Sequence, residues 1–200
     1  MQNLTWHNTT ITKQQRADLK KQKPCILWLT GLSASGKSTI ANMLESRLYS
    51  LGIHTYLLDG DNVRMGINKD LGFDESGRAE NIRRIAEVCR LFVDSGIIVI
   101  VAIISPFEND RNMARGLVSK DEFIEIFVDT PLSICEQRDI KGLYKKARSG
   151  EIKNFTGIDS IYEPPKNPEI HLKNTNSNID KHAETIIKYL IHNNYIESQN

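Results

Sequence analysis

The sequence carries almost no net charge. Its 26 lysines and arginines are balanced by 25 aspartates and glutamates, which leaves a formal charge of +1 over 200 residues. A surface of this kind has no global field of one sign, which argues against a nucleic acid or a membrane as the main partner. Any binding site for an anion must therefore be built locally.

Cysteine is scarce, and long apolar runs are missing. The three cysteines, Cys25, Cys89 and Cys135, show neither CxxC spacing nor an obvious pairing, so we expect reduced core residues. No apolar run approaches the roughly 18 residues of a membrane helix. The polar stretch 1–23 also lacks the apolar region of a secretory signal. A cytoplasmic protein is the expectation.

Strands and helices are predicted to alternate along the chain. With 40% of its residues apolar, a chain of this length fits one globular domain. Apolar runs predict five strands, at Cys25–Thr30, Thr55–Leu58, Ile97–Ile104, Phe123–Val128 and Glu169–Leu172. Helical spacing between and after them predicts helices at Ser38–Ser50, Arg78–Ser95, Arg111–Val118, Leu132–Arg138 and Ile179–His192.

This alternation predicts an α/β fold, a three-layer doubly wound parallel sheet with helices on both faces. Ligands of such sheets bind beyond the carboxyl ends of the strands. We divide the chain into an N-terminal arm, 1–23, and a single domain, 24–200. Within the domain, residues 142–168 are rich in Gly, Pro, Lys and Asn, which favours a lid or binding loop over a plain connector.

A phosphate-binding motif follows the first predicted strand. Residues 31–38 match G-x-x-x-x-G-K-[ST] and open a predicted helix. Two glycines allow tight turns that aim successive amides at phosphate oxygens, where the helix N-terminus adds positive potential. We expect Lys37 to reach the β- and γ-phosphates and Ser38 to ligate Mg²⁺. The predicted ATP site comprises Gly31, Leu32, Ser33, Ala34, Ser35, Gly36, Lys37, Ser38 and Thr39.

Two carboxylates and an arginine follow the second predicted strand. Phosphoryl transfer to an alcohol needs a group that accepts or orients the hydroxyl proton, together with cations that hold anions. We predict that Asp61 is the base or organises the metal, that Asp59 binds the acceptor, and that Arg64 binds an acceptor anion. The alternative is structural, since Asp59 and Asp61 would also cap a following helix, with Gly60 making the turn.

Longer motifs carry a resemblance to one family. They lie at 31–39, 59–64, 78–84, 104–107, 129–131, 141–148 and 155–159. In them the chain resembles the adenosine 5′-phosphosulfate kinases, also called adenylylsulfate kinases, which make 3′-phosphoadenosine 5′-phosphosulfate from ATP and adenosine 5′-phosphosulfate (APS). The resemblance runs from about Trp6 to the C-terminal helix. It implies a P-loop nucleoside triphosphate hydrolase-like kinase fold, with ATP as co-substrate and Mg²⁺ as cofactor.

The resemblance also implies which residues form the acceptor pocket. Two phenylalanines suit the two faces of a purine, while the arginines and Asn81 suit the phosphosulfate and the ribose. For each phenylalanine, ordinary core packing is the alternative. The implied pocket contains Asp59, Arg64, Phe73, Arg78, Asn81, Ile104, Ser105, Lys141 and Phe155.

Ser105 joins Lys37 and Asp61 as a candidate catalytic residue. In the family this serine is often described as a phosphoserine intermediate. No histidine adjacent in sequence marks it as an activated nucleophile, and a P-loop site can transfer the phosphoryl group directly. We therefore predict an acceptor-binding hydroxyl, ahead of a strand-end structural role and of covalent catalysis.

A basic run occupies the start of the predicted lid. Such a run is usually a solvated helix face. By resemblance to the family, however, this segment would fold over the bound nucleotides and exclude water. Either Arg138 or Lys141 would then stabilise the transferring group, with Arg138 assigned to the ATP site. The run consists of Arg138, Lys141, Lys145, Lys146 and Arg148.

Glu108 departs from the family pattern, in which this position usually carries arginine. The change is either neutral or a sign of another acceptor. Two other functions stay open, namely a P-loop kinase for a different nucleotide-like acceptor and a non-catalytic ATP-binding regulator. The resemblance further implies a homodimer and a functional link to ATP sulfurylase, with no nucleic acid or membrane partner.

Overall fold

Five parallel strands form a single sheet. The structure is a computed structural model that describes residues 4–5, 7, 9–175 and 178–198, so Trp6 lies outside the described residues. The strand order is β2-β3-β1-β4-β5, and every neighbouring pair is parallel. This confirms the predicted doubly wound sheet. The strands are β1 (Ile26–Thr30), β2 (Thr55–Asp59), β3 (Ile98–Ala102), β4 (Phe123–Asp129) and β5 (Ile170–Lys173).

Eight helices accompany the sheet in the part of the chain that is described. Three of them, α1, α3 and α7, were not predicted, because they are short and largely polar and so give little periodic signal. The other five correspond to predicted helices with small shifts at the ends. They are α1 (Lys13–Lys20), α2 (Lys37–Ser50), α3 (Gly60–Met65), α4 (Glu75–Asp94), α5 (Glu108–Arg115), α6 (Leu132–Arg138), α7 (Leu143–Arg148) and α8 (Ile179–His192).

The central strand β1 divides the core into two layers. All five of its side chains are buried. Leu27 and Leu29 pack with residues of α2 and α8 on one face, whereas Ile26 and Trp28 pack with residues of α4 on the other. Successive side chains of a strand point to opposite faces. Both faces of the sheet are therefore covered, which explains why the strands read as continuous apolar runs.

The strand register brings the sequence motifs to one edge of the sheet. Ala102, the last residue of β3, pairs with Leu29 of β1 on one side and with Asp59 of β2 on the other. The phosphate loop, the acidic segment and the segment that contains Ser105 follow these three strands. Because the strands are parallel and their ends coincide, the three segments leave the sheet side by side.

The segment expected to be a loosely attached arm contains α1, which packs against the body. Ala17 is buried, and the Arg16 guanidinium donates to the Asp94 carboxylate at 2.7 Å, at the end of α4. After the helix, the Gln22 side chain hydrogen-bonds both the amide and the carbonyl of His54. At Gly96, an added Cβ would lie 2.9 Å from the backbone of α1. The arm is thus attached from α1 onward.

A pair of glycine variants tests this attachment. Gly96 and Gly52 have φ of +83° and +74°, but nothing lies within 4 Å of a Cβ at Gly52. Gly52→Ala should therefore lose only about 1 kcal/mol, through backbone strain alone. Gly96→Ala should lose about 1–3 kcal/mol more, because the new methyl displaces α1. Urea unfolding gives both values, and equal losses would contradict the packing of α1 on Gly96.

Candidate active site

The loop between β1 and α2 depends on close backbone approaches. Gly31 has φ +152°, and a Cβ there would lie 2.6 Å from the carbonyl oxygen of Val128. Gly36 is the N-cap of α2 with φ +98°, and its Cβ would lie 2.7 Å from the Asn174 amide nitrogen. Both positions therefore need glycine, and the loop turns sharply into the N-terminus of α2.

Two buried side chains hold the far side of this loop. The Ser35 carbonyl accepts hydrogen bonds from the Thr130 hydroxyl at 2.8 Å and from the Asn174 amide at 2.7 Å. Asn174 in turn lies 3.2 Å from a ring nitrogen of His182, through its side-chain oxygen. All three partners are buried. The loop is thus braced by β4, by the segment after β5 and by α8.

Lys37 folds back onto the loop. Its ammonium donates to the carbonyls of Gly31 at 3.0 Å and Leu32 at 2.7 Å, and the residue is 8% exposed. Burial lowers the pKa of Lys37 to about 8, although Cys135, Asp59 and Asp61 act in the opposite direction. In this arrangement the lysine occupies carbonyl acceptors of its own loop, so it must turn outward to meet a phosphate.

The acidic segment meets the phosphate loop directly. The Ser38 hydroxyl donates to one oxygen of Asp59 at 2.6 Å, and the other oxygen accepts from the Asp61 amide at 3.0 Å. Asp59 is therefore the N-cap of α3, as the structural alternative predicted. Its second oxygen still faces Ser38. Asp61 instead forms an exposed ion pair with Lys141.

These oxygens suit a magnesium ion. Mg²⁺ is usually held by one or two carboxylates together with substrate phosphates and waters. The 2.6 Å contact shows that a hydroxyl and a carboxylate converge on one point beside the loop. No group of three or more His, Cys, Asp or Glu residues positioned to hold a metal occurs within the described residues. The Ser38 hydroxyl and the Asp59 carboxylate thus fit an ion that takes its other ligands from phosphates and water.

Ser105 lies deep at the end of the β3 segment. It is 2% exposed and has a left-handed φ of +42°. Its hydroxyl donates to the Thr30 hydroxyl at 2.9 Å and accepts from the Trp28 indole at 3.1 Å. A non-glycine residue in this conformation costs about 1–2 kcal/mol, so neighbouring contacts must hold the turn in place. These contacts fix the rotamer of the Ser105 hydroxyl.

The predicted acceptor residues on α3, on α4 and between these helices are arranged in two groups. The Arg64 guanidinium lies 4.3 Å from the Phe73 ring centroid, and Phe73 is 68% exposed. Arg78 instead reaches the predicted lid, where it donates to the Thr156 hydroxyl at 3.0 Å and to the Asn154 carbonyl. Burial lowers the pKa of both arginines, which still remain cationic. Asn81 is buried and accepts from Asn68 at 3.0 Å.

Phe155 belongs to a small core that includes residues of the predicted lid. It is 9% exposed, and its ring meets Tyr144 edge-on at 5.0 Å. The cluster also contains Cys135, and Leu32 and Ala34 of the phosphate loop pack against it. Phe73 and Phe155 thus differ. The Phe73 side chain is exposed and available to stack on another ring, whereas the Phe155 side chain is packed in this core. The predicted lid is built against the phosphate loop.

The remaining predicted residues lie around these groups. Thr39 is exposed at the start of α2, Arg138 is the last residue of α6, and Ile104 is half-buried beside Ser105. The basic run includes surface ion pairs, since Lys146 pairs with Glu151 and Arg148 with Glu136. At the departure from the family pattern, Glu108 pairs with Lys166 at 2.9 Å. Its charge is therefore balanced locally.

Several residues of the site were missed by the sequence analysis. Thr130 lies within a quoted motif, 129–131, but its role behind the loop depends on the register of β4. Thr156 lies within the quoted motif 155–159, but its partner Arg78 is 78 positions away, and Asn174 has no local signal, because its partner is 139 positions away. In the sequence, Trp28 has the pattern of an ordinary core residue of a strand. Only the fold shows that its indole reaches Ser105.

The phosphate loop lies at the switch point of a parallel sheet, and it contacts the acidic segment at the end of β2. A basic segment covers both. This combination defines the class of the P-loop kinases. The family model for adenylylsulphate kinase matches residues 23–173. This chain belongs to that family.

Individual relatives agree over nearly the whole chain. An adenylyl-sulfate kinase of Marinobacter nauticus is 57% identical over 198 residues, which is 99% of this chain and all of the relative. The Mycobacterium tuberculosis APS kinase CysC, in complex with AMPPNP and APS, superposes with a TM-score of 0.80 at 49% identity, covering 84% of this chain and 98% of that one. A hexameric APS kinase of Thiobacillus denitrificans superposes with a TM-score of 0.68 at 30% identity, covering 89% of this chain and 31% of that one.

The pKa of Lys37 predicts a pH dependence of nucleotide binding. Above pH 8 a growing fraction of the free protein carries a neutral lysine, so the Kd for MgATP should rise as pH increases from 7 to 9.5, approaching tenfold per unit. Isothermal titration calorimetry measures this. Lys37→Arg keeps a charged group and should bind more weakly with a flat profile, whereas an equally steep rise in that variant would refute the assignment.

Proposed function

We propose that this protein transfers the γ-phosphate of ATP to the 3′-hydroxyl of APS, giving 3′-phosphoadenosine 5′-phosphosulfate and ADP. The observation that carries the proposal is the direct hydrogen bond between Ser38 of the phosphate loop and Asp59 of the acidic segment, at 2.6 Å. It joins a triphosphate site to an acceptor site at one sheet edge. Membership of the adenylylsulphate kinase family supports the choice of acceptor.

Phosphoryl transfer depends mainly on the positioning of the two substrates and on stabilisation of the charge that develops on the transferring group. Lys37 would leave the carbonyls of Gly31 and Leu32 and place its ammonium on the β- and γ-phosphates. The amides of the loop residues 31–39 would hold the remaining phosphate oxygens, and Arg138 would contact the nucleotide from the lid side. Asp61 would accept or orient the proton of the acceptor hydroxyl, once its exposed contact with Lys141 has opened.

Magnesium fits the same place. The Ser38 hydroxyl and the Asp61 carboxylate would hold the ion, with Asp59 beside them, and the ion would neutralise charge on the transferring group. In the structure, Asp59 engages Ser38 and Asp61 engages Lys141. These internal contacts would be exchanged for substrate contacts, which keeps the net cost of opening them small.

The acceptor would lie between the end of β2 and α4. Arg64 and Arg78 supply two cations for a phosphosulfate, and Asp59 and Asn81 supply polar groups for a ribose. The exposed ring of Phe73, already stacked on Arg64, is free to cover a purine. Phe155, Ile104 and Lys141 would complete the pocket from the lid and from the end of β3.

Ser105 is proposed to position the acceptor rather than to carry a phosphate. Its partners, Thr30 and Trp28, are neutral, and the residue is 2% exposed. A nucleophilic serine needs a base that takes its proton. The surroundings of Ser105 instead suit a fixed hydroxyl that orients a bound group.

We further propose that residues 142–168 act as a lid and that 24–200 form the single domain that closes on substrates. Arg78, on α4, already bridges to Asn154 and Thr156 of this segment. Closure would exclude water from the transferring phosphate.

Within the described residues, no helix is both long and apolar enough to cross a membrane.

The oligomeric state and the functional partner are proposals that rest on the family resemblance. We propose a homodimer, for which light scattering should give twice the mass of one chain, and a functional link to ATP sulfurylase as supplier of the acceptor. A cytoplasmic location is proposed because the reaction consumes ATP and because Cys25, Cys89 and Cys135 are all unpaired.

The test of the function is a competition between acceptors. Purified protein with ATP and Mg²⁺ is offered APS beside other nucleotides and sugars, and products are identified by mass. We expect selective formation of the 3′-phosphorylated product and loss of turnover when EDTA removes Mg²⁺. Turnover of another acceptor would contradict the assigned substrate, and binding without turnover would favour a regulatory protein.

Two variants separate the roles of the polar groups. Asp61→Asn should lower kcat by about 10²–10⁴-fold, because it removes the proton acceptor and one oxygen ligand of the ion. Ser105→Ala should keep measurable turnover with a higher KM for APS. Steady-state kinetics distinguishes them. Wild-type kcat in Asp61→Asn would refute the base assignment, and a phosphorylated Ser105 trapped during turnover would refute the positioning role.

A further inference from the structure

Arg111 is a buried cation that the proposed chemistry does not use. It lies on α5 and is 2% exposed. Its guanidinium donates to the Glu125 carboxylate at 2.7 Å, to the Ser105 carbonyl at 2.8 Å and to the Glu163 carbonyl at 2.8 Å. These acceptors come from β4, from the turn after β3 and from the end of the lid. One side chain thus joins three distant segments.

The Ser105 carbonyl belongs to the turn that shapes the acceptor side of the site. Ser105 has a φ of +42°, and its hydroxyl is held by Thr30 and Trp28. The Thr30 hydroxyl also lies 3.4 Å from the Ser105 carbonyl, which is a longer and neutral contact beside the 2.8 Å bond from Arg111. A charged donor on that carbonyl selects one orientation of the peptide. The bond from Arg111 therefore fixes the backbone of the same turn.

The Glu163 carbonyl marks the place where the lid segment returns to the body. The Glu163 amide donates to the Pro106 carbonyl at 2.8 Å, and its carboxylate accepts from the Glu108 amide at 2.7 Å. Just before it, the Tyr162 hydroxyl lies 3.0 Å from the Thr30 hydroxyl. The end of the lid is thus bonded to the turn 105–108 at several points, and Arg111 contacts both sides of this junction.

We propose that Arg111 is a positioning residue that locks the Ser105 turn and the C-terminal end of the lid into one unit. The inference rests on the proposed function, in which Ser105 and the lid form the acceptor site. In this proposal, the part of the lid that precedes residue 163 moves during closure, while residue 163 stays attached to the body. Glu125 neutralises the buried charge and orients the guanidinium, which lets the remaining N–H groups serve the two carbonyls.

Arginine is needed here because of its geometry. The planar guanidinium carries five N–H donors in a rigid fork, and three acceptors around it are satisfied at once. A lysine ammonium retains the charge opposite Glu125 but has no fork that spans the two carbonyls. Arg111→Lys therefore removes the positioning function with little change in buried charge.

Arg115 offers a matched control. It lies one turn further along α5, contacts the same Glu125 at 3.5 Å and pairs with Glu169 at 2.7 Å. Its recorded hydrogen bonds go to Glu125, Glu169 and the Phe123 carbonyl, away from the Ser105 turn. Arg115→Lys is thus the same chemical change on the same helix and in the same ion network.

The kinetic experiment compares Arg111→Lys and Arg115→Lys in the full chain. We expect Arg111→Lys to lower kcat with APS by about tenfold to a hundredfold and to raise its KM, with the KM for ATP within twofold, because misplacement of a positioning group costs rate. Arg115→Lys should stay within about twofold of wild type. Equal losses in the two variants, or wild-type kinetics in Arg111→Lys, would overturn the proposal.

Trp28 provides a readout that needs no turnover. Its indole donates to Ser105, so its emission reports the position of that hydroxyl. The chain has two tryptophans, and Trp6→Phe isolates Trp28. We expect shifted emission and faster proteolysis within 142–168 for Arg111→Lys, but not for Arg115→Lys. Unchanged emission and proteolysis in folded Arg111→Lys would refute the proposal.

This second readout separates two kinds of failure. If the wild-type protein does not phosphorylate APS, the proposed function is wrong, while emission and proteolysis still test the role of Arg111. If Arg111→Lys does not fold, Glu125→Gln replaces it, since it keeps an oxygen acceptor but removes the charge that orients Arg111. Its emission should shift in the same direction, and unchanged emission would again count against the proposal.

Discussion

The close approach of the phosphate loop to the backbone of β4 and to Asn174 is the constraint on which the site depends. Cβ atoms at Gly31 and Gly36 would meet Val128 and Asn174 at 2.6 and 2.7 Å, so the loop is pressed against two elements at once. The same elements supply the hydrogen bonds to Ser35. A loop held in this way keeps its amides oriented before any phosphate arrives, and preorganised donors lose little entropy on binding.

The charged groups around this loop are engaged with one another. Lys37 contacts carbonyls of its own loop, Ser38 contacts Asp59, and Asp61 contacts Lys141. These contacts differ in strength. The ion pair with Lys141 is exposed and is worth about 0–1 kcal/mol, so it opens readily. Lys37 is buried, and its lowered pKa shows that its present contacts only partly compensate for the loss of water. A polyphosphate that offers better compensation would draw this lysine outward.

The sequence was sufficient for the sheet and for the position of the site. Continuous apolar runs such as Cys25–Thr30 occur because parallel strands are covered on both faces, and the motif at 31–38 requires a strand before it and a helix after it. Individual partners could not be obtained in the same way. Asp59, predicted to bind the acceptor, contacts Ser38 and caps α3, whereas Asp61 pairs with Lys141. Arg111 could not be recognised, since its acceptors lie 6, 14 and 52 positions away.

The two ends of the predicted lid are attached by different kinds of contact, which bears on how it would move. Near residue 163 the junction consists of backbone hydrogen bonds and a buried guanidinium. Nearer the phosphate loop, Arg78 contacts the exposed Asn154 and the buried Thr156, and Lys141 holds Asp61 through an exposed pair. Exposed side-chain contacts exchange with water at small cost, whereas buried backbone bonds do not. The exposed pair between Lys141 and Asp61 would therefore open first, beside the phosphate loop, where an entering nucleotide competes for the same cation.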